Sequence, residues 1–452
     1  MMYRSLNPAT ETLITAYEET SLSDCLLRLK SVSKAQKSFR TLTAAKRVEK
    51  LLTLARLLES NKRALSNLIT QEMGKPITQS EAEIEKSREL VLFSAKHLEQ
   101  ILIESSSKDF ASVKYFWEPL GVILGIMPWN YPLWQCIRFA VPAIAMGNAC
   151  LLKPAPNVPS TSLLINKIFQ EGFQDVFDVF FASNETTSAL IAQREIAGVS
   201  FTGSDQTGRH IASMAGLNLK KMVLELGGSD PYLVFSDAQM PQAVAACVEA
   251  RFVNAGQSCL AAKRIYVAAE IFDEFISEFQ NQMKALKTGA PEQAETNLGP
   301  LARLDLLEKI ERQIQSSTER GAKILVGGKR ENKKGFYFPA SLIVNAPDDC
   351  ALLTEEVFGP VAVIQSFKSE NEVILRANQS RFGLGAAIFT HEKSRIERLK
   401  QQLECGTLWV NQPVRSYPSI PMAGTKDSGF GRELGVWGHY EFSNLKVIGE
   451  KV

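Results

Sequence analysis

The sequence lacks the features that would carry a chain out of the cell or onto a charged polymer. It has no C-x-x-C pair: Cys25, Cys136, Cys150, Cys247, Cys259, Cys350 and Cys405 are odd in number and widely spaced. That pattern argues against a zinc site, a redox dithiol or a secreted disulfide framework and fits a reducing cytosol, and no metal is expected. Excess charge is missing as well: 51 Lys plus Arg against 49 Asp plus Glu leave a net +2, so nothing electrostatic points to nucleic acid or an anionic membrane as partner. The N-terminal MMYRSLNPATET has no apolar core of the kind a secretory signal needs. Residues 120–152 are the most apolar stretch, yet Pro128, Asn130, Pro132, Arg138, Pro142 and Asn148 interrupt it; a membrane span needs about 20 mostly apolar residues. It reads as buried core. A cytoplasmic protein that works on small molecules is what remains.

What is present is enough apolar material for two or more domains, 452 residues of which 45% are hydrophobic and 22% charged. Val48, Leu51, Leu52, Ala55 and Leu58 recur at helical spacing, which predicts one amphipathic helix from Thr43 to Ile69, stopping at Gly74 and Pro76. Beyond it, short β-type runs at 122–126, 149–152, 177–181, 197–201 and 222–226 alternate with helix-length segments. Alternation of this kind predicts parallel strands with helical crossovers, an α/β domain of the dinucleotide-binding type whose ligands lie beyond the carboxyl ends of the strands. A second α/β stretch follows, with helices at 242–253 and 272–286 and strands at 264–267, 323–326 and 361–367. Two domains of similar size with a cleft between them are expected.

Three strand ends carry the chemistry. Met127-Pro128-Trp129-Asn130-Tyr131-Pro132 is a proline-braced turn whose Asn130 amide can donate a hydrogen bond; alone it reads as a capping Asn. Phe201-Thr202-Gly203-Ser204-Asp205-Gln206-Thr207-Gly208 opens a helix where backbone N–H groups favour phosphate, but Arg209-His210 replaces the Lys and Ser/Thr of a nucleotide-hydrolysing loop. Glu225, before Gly227-Gly228, precedes Gly256-Gln257-Ser258-Cys259 by 34 residues. A cysteine after a small-residue turn can be an activated thiolate, and a semi-buried carboxylate can serve as base. The bland alternative, a cysteine as small core hydrophobe, is applied to the other six.

In order and spacing these motifs resemble the aldehyde dehydrogenase superfamily across essentially the whole chain. Supporting segments are Asn7-Pro8-Ala9-Thr10, Glu72-Met73-Gly74-Lys75, Leu152-Lys153-Pro154, Thr354-Glu355-Glu356-Val357-Phe358-Gly359-Pro360 and Ser428-Gly429-Phe430-Gly431-Arg432-Glu433. Gly227-Gly228-Ser229-Asp230-Pro231, Gln257-Ser258-Cys259 before Ala261-Ala262-Lys263-Arg264, and Ser416-Tyr417-Pro418 are similar to the bacterial succinate-semialdehyde dehydrogenases. The resemblance implies Cys259 as nucleophile, Glu225 as the base that releases the acid, and Asn130 with the Cys259 backbone N–H as oxyanion donors. It also implies a cofactor site of Lys153, Trp129, Gly203, Ser204, Glu356 and Phe358, and a substrate pocket of Arg138, Ser416 and Trp134. For Arg138 two partners are open: a substrate carboxylate, or a carboxylate of the protein's own cleft.

The cofactor is NADP or NAD. Pro156 stands where NAD-preferring relatives commonly carry a carboxylate that would repel a 2′-phosphate, which favours NADP. The fold implied is a Rossmann-type cofactor domain (1–107 and 124–224), an α/β catalytic domain (225–421) and a small β oligomerisation element (108–123 and 437–452), with strands near 109–119 and 442–452. A homodimer or homotetramer follows from the same resemblance. The reaction expected is succinate semialdehyde to succinate through a thiohemiacetal and thioester. The alternatives are another aldehyde such as glutarate semialdehyde, or a non-catalytic relative. A Cys-His hydrolase is disfavoured because His97, His210, His391 and His439 lie outside the motifs.

Overall fold

The alternation read from the sequence resolves into two large sheets in the computed structural model, which describes residues 2–110 and 112–450. The first has six strands in the order Gly429–Phe430, Lys221–Glu225, Ile196–Thr202, Val122–Ile126, Ala149–Lys153, Phe177–Val179. All neighbours in it are parallel except the first pair, where Gly429–Phe430 runs antiparallel along Lys221–Glu225. Val122–Ile126 and Ala149–Lys153 are buried at every residue, as strands covered on both faces must be, so they read as continuous apolar runs rather than alternating ones. The helix Pro132–Ala145 between them is buried throughout as well.

The second sheet has seven strands: Lys323–Val326, Ser341–Val344, Val361–Phe367, Ala262–Ala268, Asp230–Val234, Gly385–Phe389 and Thr407–Val410, parallel but for the first pair. Only the strands near 264, 323 and 361 are expected from sequence. The others are four- and five-residue runs that periodicity cannot tell from core loop. A third sheet pairs Val113–Pro119 antiparallel with both Ser443–Gly449 and Ser105–Ser106. Val113–Pro119 and Ser443–Gly449 are shorter than the strands expected near 109–119 and 442–452, and residues 111 and 451–452 lie outside the described residues.

The single helix expected over Thr43–Ile69 is two helices, Ala44–Ser60 and Lys62–Met73. Asn61 interrupts them, its amide donating to the Leu57 carbonyl at 2.9 Å, and so satisfies a C-terminal orphan while the axis changes. Apolar spacing carries across such a joint unchanged, which is why it is invisible in the pattern. The helix expected to reach Leu286 ends at Met283. No helix among the described residues is long and apolar enough to cross a membrane.

Candidate active site

The site begins with where one helix starts. Glu83 accepts the backbone N–H groups of Leu133 and Trp134 at 2.9 and 3.0 Å, a carboxylate at the positive end of the helix Pro132–Ala145. Glu83 is itself ion-paired with buried Lys75, whose ammonium lies 3.7 Å from the centre of the Tyr131 ring. This brace fixes the register in which Asn130 precedes the helix and Trp134 and Arg138, one turn apart, share a face. The Glu72-Met73-Gly74-Lys75 segment is therefore structural: Lys75 acts through Glu83, and Glu72 caps the helix Pro159–Phe173 through the N–H groups of Ser160 and Thr161.

The cysteine loop is strained and held. Asn254, Ala255 and Gly256 all take left-handed φ, at 54°, 51° and 72°, a conformation that costs about 1 kcal/mol or more at each non-glycine residue unless its surroundings enforce it. Here they do. The Asn254 N–H donates to the Gln79 side chain at 2.8 Å, and its amide donates to the carbonyls of Asn130 and Gln257 at 3.0 and 3.1 Å. Gly256 is required twice over, by its φ and because a Cβ there would lie 2.2 Å from the Gly359 carbonyl oxygen. Buried Arg251 donates to the carbonyls of Val357 and Gly359, which draws the segment bearing Glu356 and Phe358 against this loop. The result presents Cys259 in the turn before the strand Ala262–Ala268, on the wall of a cleft of about 430 Å³ that Arg138, Trp134 and Ser416 also line. The Asn130 amide donates to the Gln257 carbonyl at 3.1 Å, which fixes the group through one of its two N–H bonds and leaves the second.

Glu225 ends the strand Lys221–Glu225, fully buried, with no hydrogen-bond partner for either carboxylate oxygen among the described residues. Burial pushes its carboxyl up to about 8, opposed by the Arg138 guanidinium 3.8 Å away and reinforced by the charge of Glu433. Burial alone would weaken the Arg138 cation, but Glu433 and then Glu225 outweigh it and hold it charged. Of the two partners open for Arg138, the structure holds the protein's own: Glu433 sits directly on the guanidinium, both side chains almost wholly buried. Glu433 is delivered by an antiparallel bridge to Met422, inside the loop Pro421-Met422-Ala423-Gly424 that departs from the family's usual wording.

Burial pushes the Cys259 thiol up to about 12. Lys263 and Arg138 oppose the shift and Glu225 and Glu356 add to it, so the resting sulfur keeps its proton. Lys263, fully buried, donates to the Cys259 carbonyl at 2.7 Å and pairs with Glu356 at 3.0 Å.

On the cofactor side, Lys153 ends the strand Ala149–Lys153, and burial lowers its ammonium to about 8. Gly203 and Ser204 lie between the strand Ile196–Thr202 and the helix Asp205–Leu217, with Ser204 as cap accepting from the Thr207 N–H at 3.3 Å. Glu356 also accepts the Gly228 N–H at 3.0 Å, and Trp129 meets Phe358 edge to face with centroids 5.8 Å apart. Sequence reasoning missed Lys86, whose ammonium donates to Ser416 at 2.7 Å and stands 4.5 Å from the centre of the Trp134 ring. Asn254 was missed too. Neither carries a spacing signal, because each acts through partners distant in sequence.

The chain matches a known family model, the aldehyde dehydrogenase family, over residues 1–448. The chain belongs to the aldehyde dehydrogenase family. It is 38% identical to the succinate semialdehyde dehydrogenase [NAD(P)+] Sad of Escherichia coli, over 98% of this chain and 97% of that one. Among solved structures it resembles the succinic semialdehyde dehydrogenase of Streptococcus pyogenes in complex with NADP+, with TM-score 0.96, 29% identity and 99% of each chain covered. The betaine aldehyde dehydrogenase of Staphylococcus aureus in complex with NAD+ is nearly as alike in shape, with TM-score 0.94 and 30% identity over 99% of this chain and 91% of that one. The aldehyde dehydrogenase fold is thus common to different substrates and both cofactors, and the side chains of the cleft must choose between them.

Proposed function

We propose that this aldehyde dehydrogenase oxidises succinate semialdehyde to succinate with reduction of NAD(P)+, and that NADP+ is the favoured cofactor. The observation that carries the reading is the company Cys259 keeps: one cleft wall brings it together with Arg138, Ser416 and Trp134, and Glu225 lies buried within charge range of both Cys259 and Arg138. Relatives named for succinate semialdehyde and NAD(P)+ or NADP+ support the substrate and cofactor. Exposed Pro156 supports NADP+ because it sets no carboxylate against a 2′-phosphate.

The residues present fit a dinucleotide. Lys153 and the Ser204-capped helix start both stand at carboxyl ends of strands of the first sheet, where backbone N–H groups favour phosphate. Gly203, Trp129, Glu356 and Phe358 would line the same cofactor site, as the family resemblance implies. When bound, an oxidised nicotinamide would supply the hydride acceptor that oxidation of the aldehyde carbon requires. Cys259 passes its proton to solvent water and its sulfur attacks the aldehyde carbon, forming a C–S bond as the carbonyl electron pair moves to oxygen. The free N–H of Asn130 and the Cys259 backbone N–H receive that oxyanion. Once the carbon has lost hydride, Cys259 carries a thioester. Glu225 takes a proton from the water that attacks it, and the C–S bond breaks to release the acid and return the electron pair to sulfur.

We assign the cofactor domain to 1–107 and 124–224, the catalytic domain to 225–421 and the oligomerisation element to 108–123 and 437–452. Exposed Leu445, Val447 and Ile448 on the strand Ser443–Gly449 support a homodimer or homotetramer, since apolar side chains grouped on one strand favour a covering surface. The near-neutral charge and free cysteines support a cytoplasmic setting. The test is a panel of aldehydes against NAD+ and NADP+, comparing kcat/KM. Succinate semialdehyde with NADP+ gives the highest value, and Cys259→Ala abolishes turnover while retaining cofactor binding by fluorescence titration. A higher value with glutarate semialdehyde or an uncharged aldehyde overturns the substrate assignment.

A further inference from the structure

The charges of the cleft do not balance as the resemblance implies. Arg138 is taken up by Glu433, with Glu225 at 3.8 Å, so it meets an incoming carboxylate as part of a neutralised group. Lys86 is different. It projects from the helix Ile77–Ile101 into the same cleft as Cys259, and no carboxylate forms an ion pair with it among the described residues. Its polar contact is the Ser416 hydroxyl at 2.7 Å, and the Trp134 ring takes one side of the ammonium at 4.5 Å. An ammonium has three N–H donors, so one hydrogen bond leaves it unsatisfied, and a half-buried cation in that state calls for an anion.

The surrounding charges leave this ammonium uncompensated. On its own helix Glu83 is paired with Lys75 and Glu85 with Arg88, while Glu89 is exposed and screened by water. Across the cleft stand Arg138, which repels it, and the neutral thiol of Cys259. On the late loop Arg415 is paired with Glu249, and Tyr417 also lines the cleft.

Resting on the semialdehyde reading above, we infer that Lys86 is the specificity-determining cation of the pocket: with Ser416 it receives the substrate's distal carboxylate, while Arg138 serves Glu225 and Glu433. Trp134, beneath the ammonium, holds it at the cleft wall and covers the methylene chain between the two ends of the substrate.

The experiment compares kcat/KM for succinate semialdehyde with that for butanal, a neutral aldehyde with the same four-carbon chain. In Lys86→Met the preference for the semialdehyde falls roughly 10- to 100-fold, the loss expected of a hydrogen bond to a charged group. Lys86→Arg keeps most of the preference, because a guanidinium retains the charge. The wild-type enzyme supplies a readout that needs no variant. Burial lowers the Lys86 ammonium to about 8, so the preference declines as pH rises through that value, whereas in Lys86→Arg it persists. Titration of Glu225 and Cys259 acts on both aldehydes and cancels in the ratio. A preference that survives in Lys86→Met, or that is flat with pH in the wild type, overturns the assignment of Lys86 alone. A wild-type enzyme that favours neither aldehyde overturns the semialdehyde reading itself and the role of Lys86 with it.

Discussion

Glu433 touches no reacting atom in the proposed mechanism, yet replacing it with Gln should move the pH dependence of acid release. The guanidinium of Arg138 lies 3.8 Å from Glu225. At that separation two unit charges interact by about 4 kcal/mol for an effective dielectric constant of about 20, equivalent to about 3 pH units. In the wild type that attraction is shared with Glu433, whose own negative charge pushes Glu225 further up. Glu433→Gln removes the competing carboxylate but keeps an amide oxygen of the same shape for the guanidinium, so Arg138 turns its charge on Glu225. Because Glu225 works as a base when deprotonated, lowering its pKa extends activity toward acid. The limb of the deacylation profile near 8 should shift down by roughly one to two units, less than the full pairwise value because Glu433 already shared the cation. Stopped-flow burst experiments separate the first release of reduced cofactor from the slower thioester hydrolysis, and the slow phase is the one to follow across pH. A limb that stays in place, or moves to higher pH, refutes the coupling of the three groups.

Two other perturbations test the scaffold around the sulfur. Asn130→Ala should lower kcat by about 100- to 1,000-fold, the usual effect of losing one oxyanion donor; a cofactor KM that changes as much as kcat would point instead to a collapsed turn. Gly256→Ala should lower both Tm and kcat, because its Cβ would lie 2.2 Å from a backbone oxygen that no side-chain rotation can move. Melting curves and turnover measured together check this, and an unchanged Tm would mean that the loop relaxes freely.

How much of this was visible in the amino-acid order depends on the range of the interaction. The central strands of the first sheet, Val122–Ile126 and Ala149–Lys153, are buried on both faces and so appear as apolar runs, and turn residues mark the carboxyl ends of strands where Asn130, Ser204 and Glu225 stand. The break at Asn61 is local but leaves the apolar spacing intact, so periodicity passes over it. Charge partners are the least legible. Arg138 announces itself as a cation in an apolar segment, but its partner Glu433 lies 295 positions away and arrives through a bridge to Met422. Lys86 sits among Glu83, Glu85 and Glu89 on an amphipathic helix, where a solvated face is the natural reading; only the loop bearing Ser416 makes it part of the cleft. The state of the resting thiol is illegible for a related reason, since a pKa depends on desolvation, which is a property of the packed whole.

The edge strand Gly429–Phe430, laid against Lys221–Glu225, has a consequence for biosynthesis. A growing polypeptide emerges from the ribosome with its nucleophile, base and amide donor already made, well before the counter-charge that tunes the base has been translated. Until residues 421–433 dock, the first sheet has an open side and Glu225 faces Arg138 alone. The proton affinity of the catalytic carboxylate is thereby tied to closure of the sheet, so a chain clipped ahead of this segment would keep its sulfur while Glu225 held its proton less tightly.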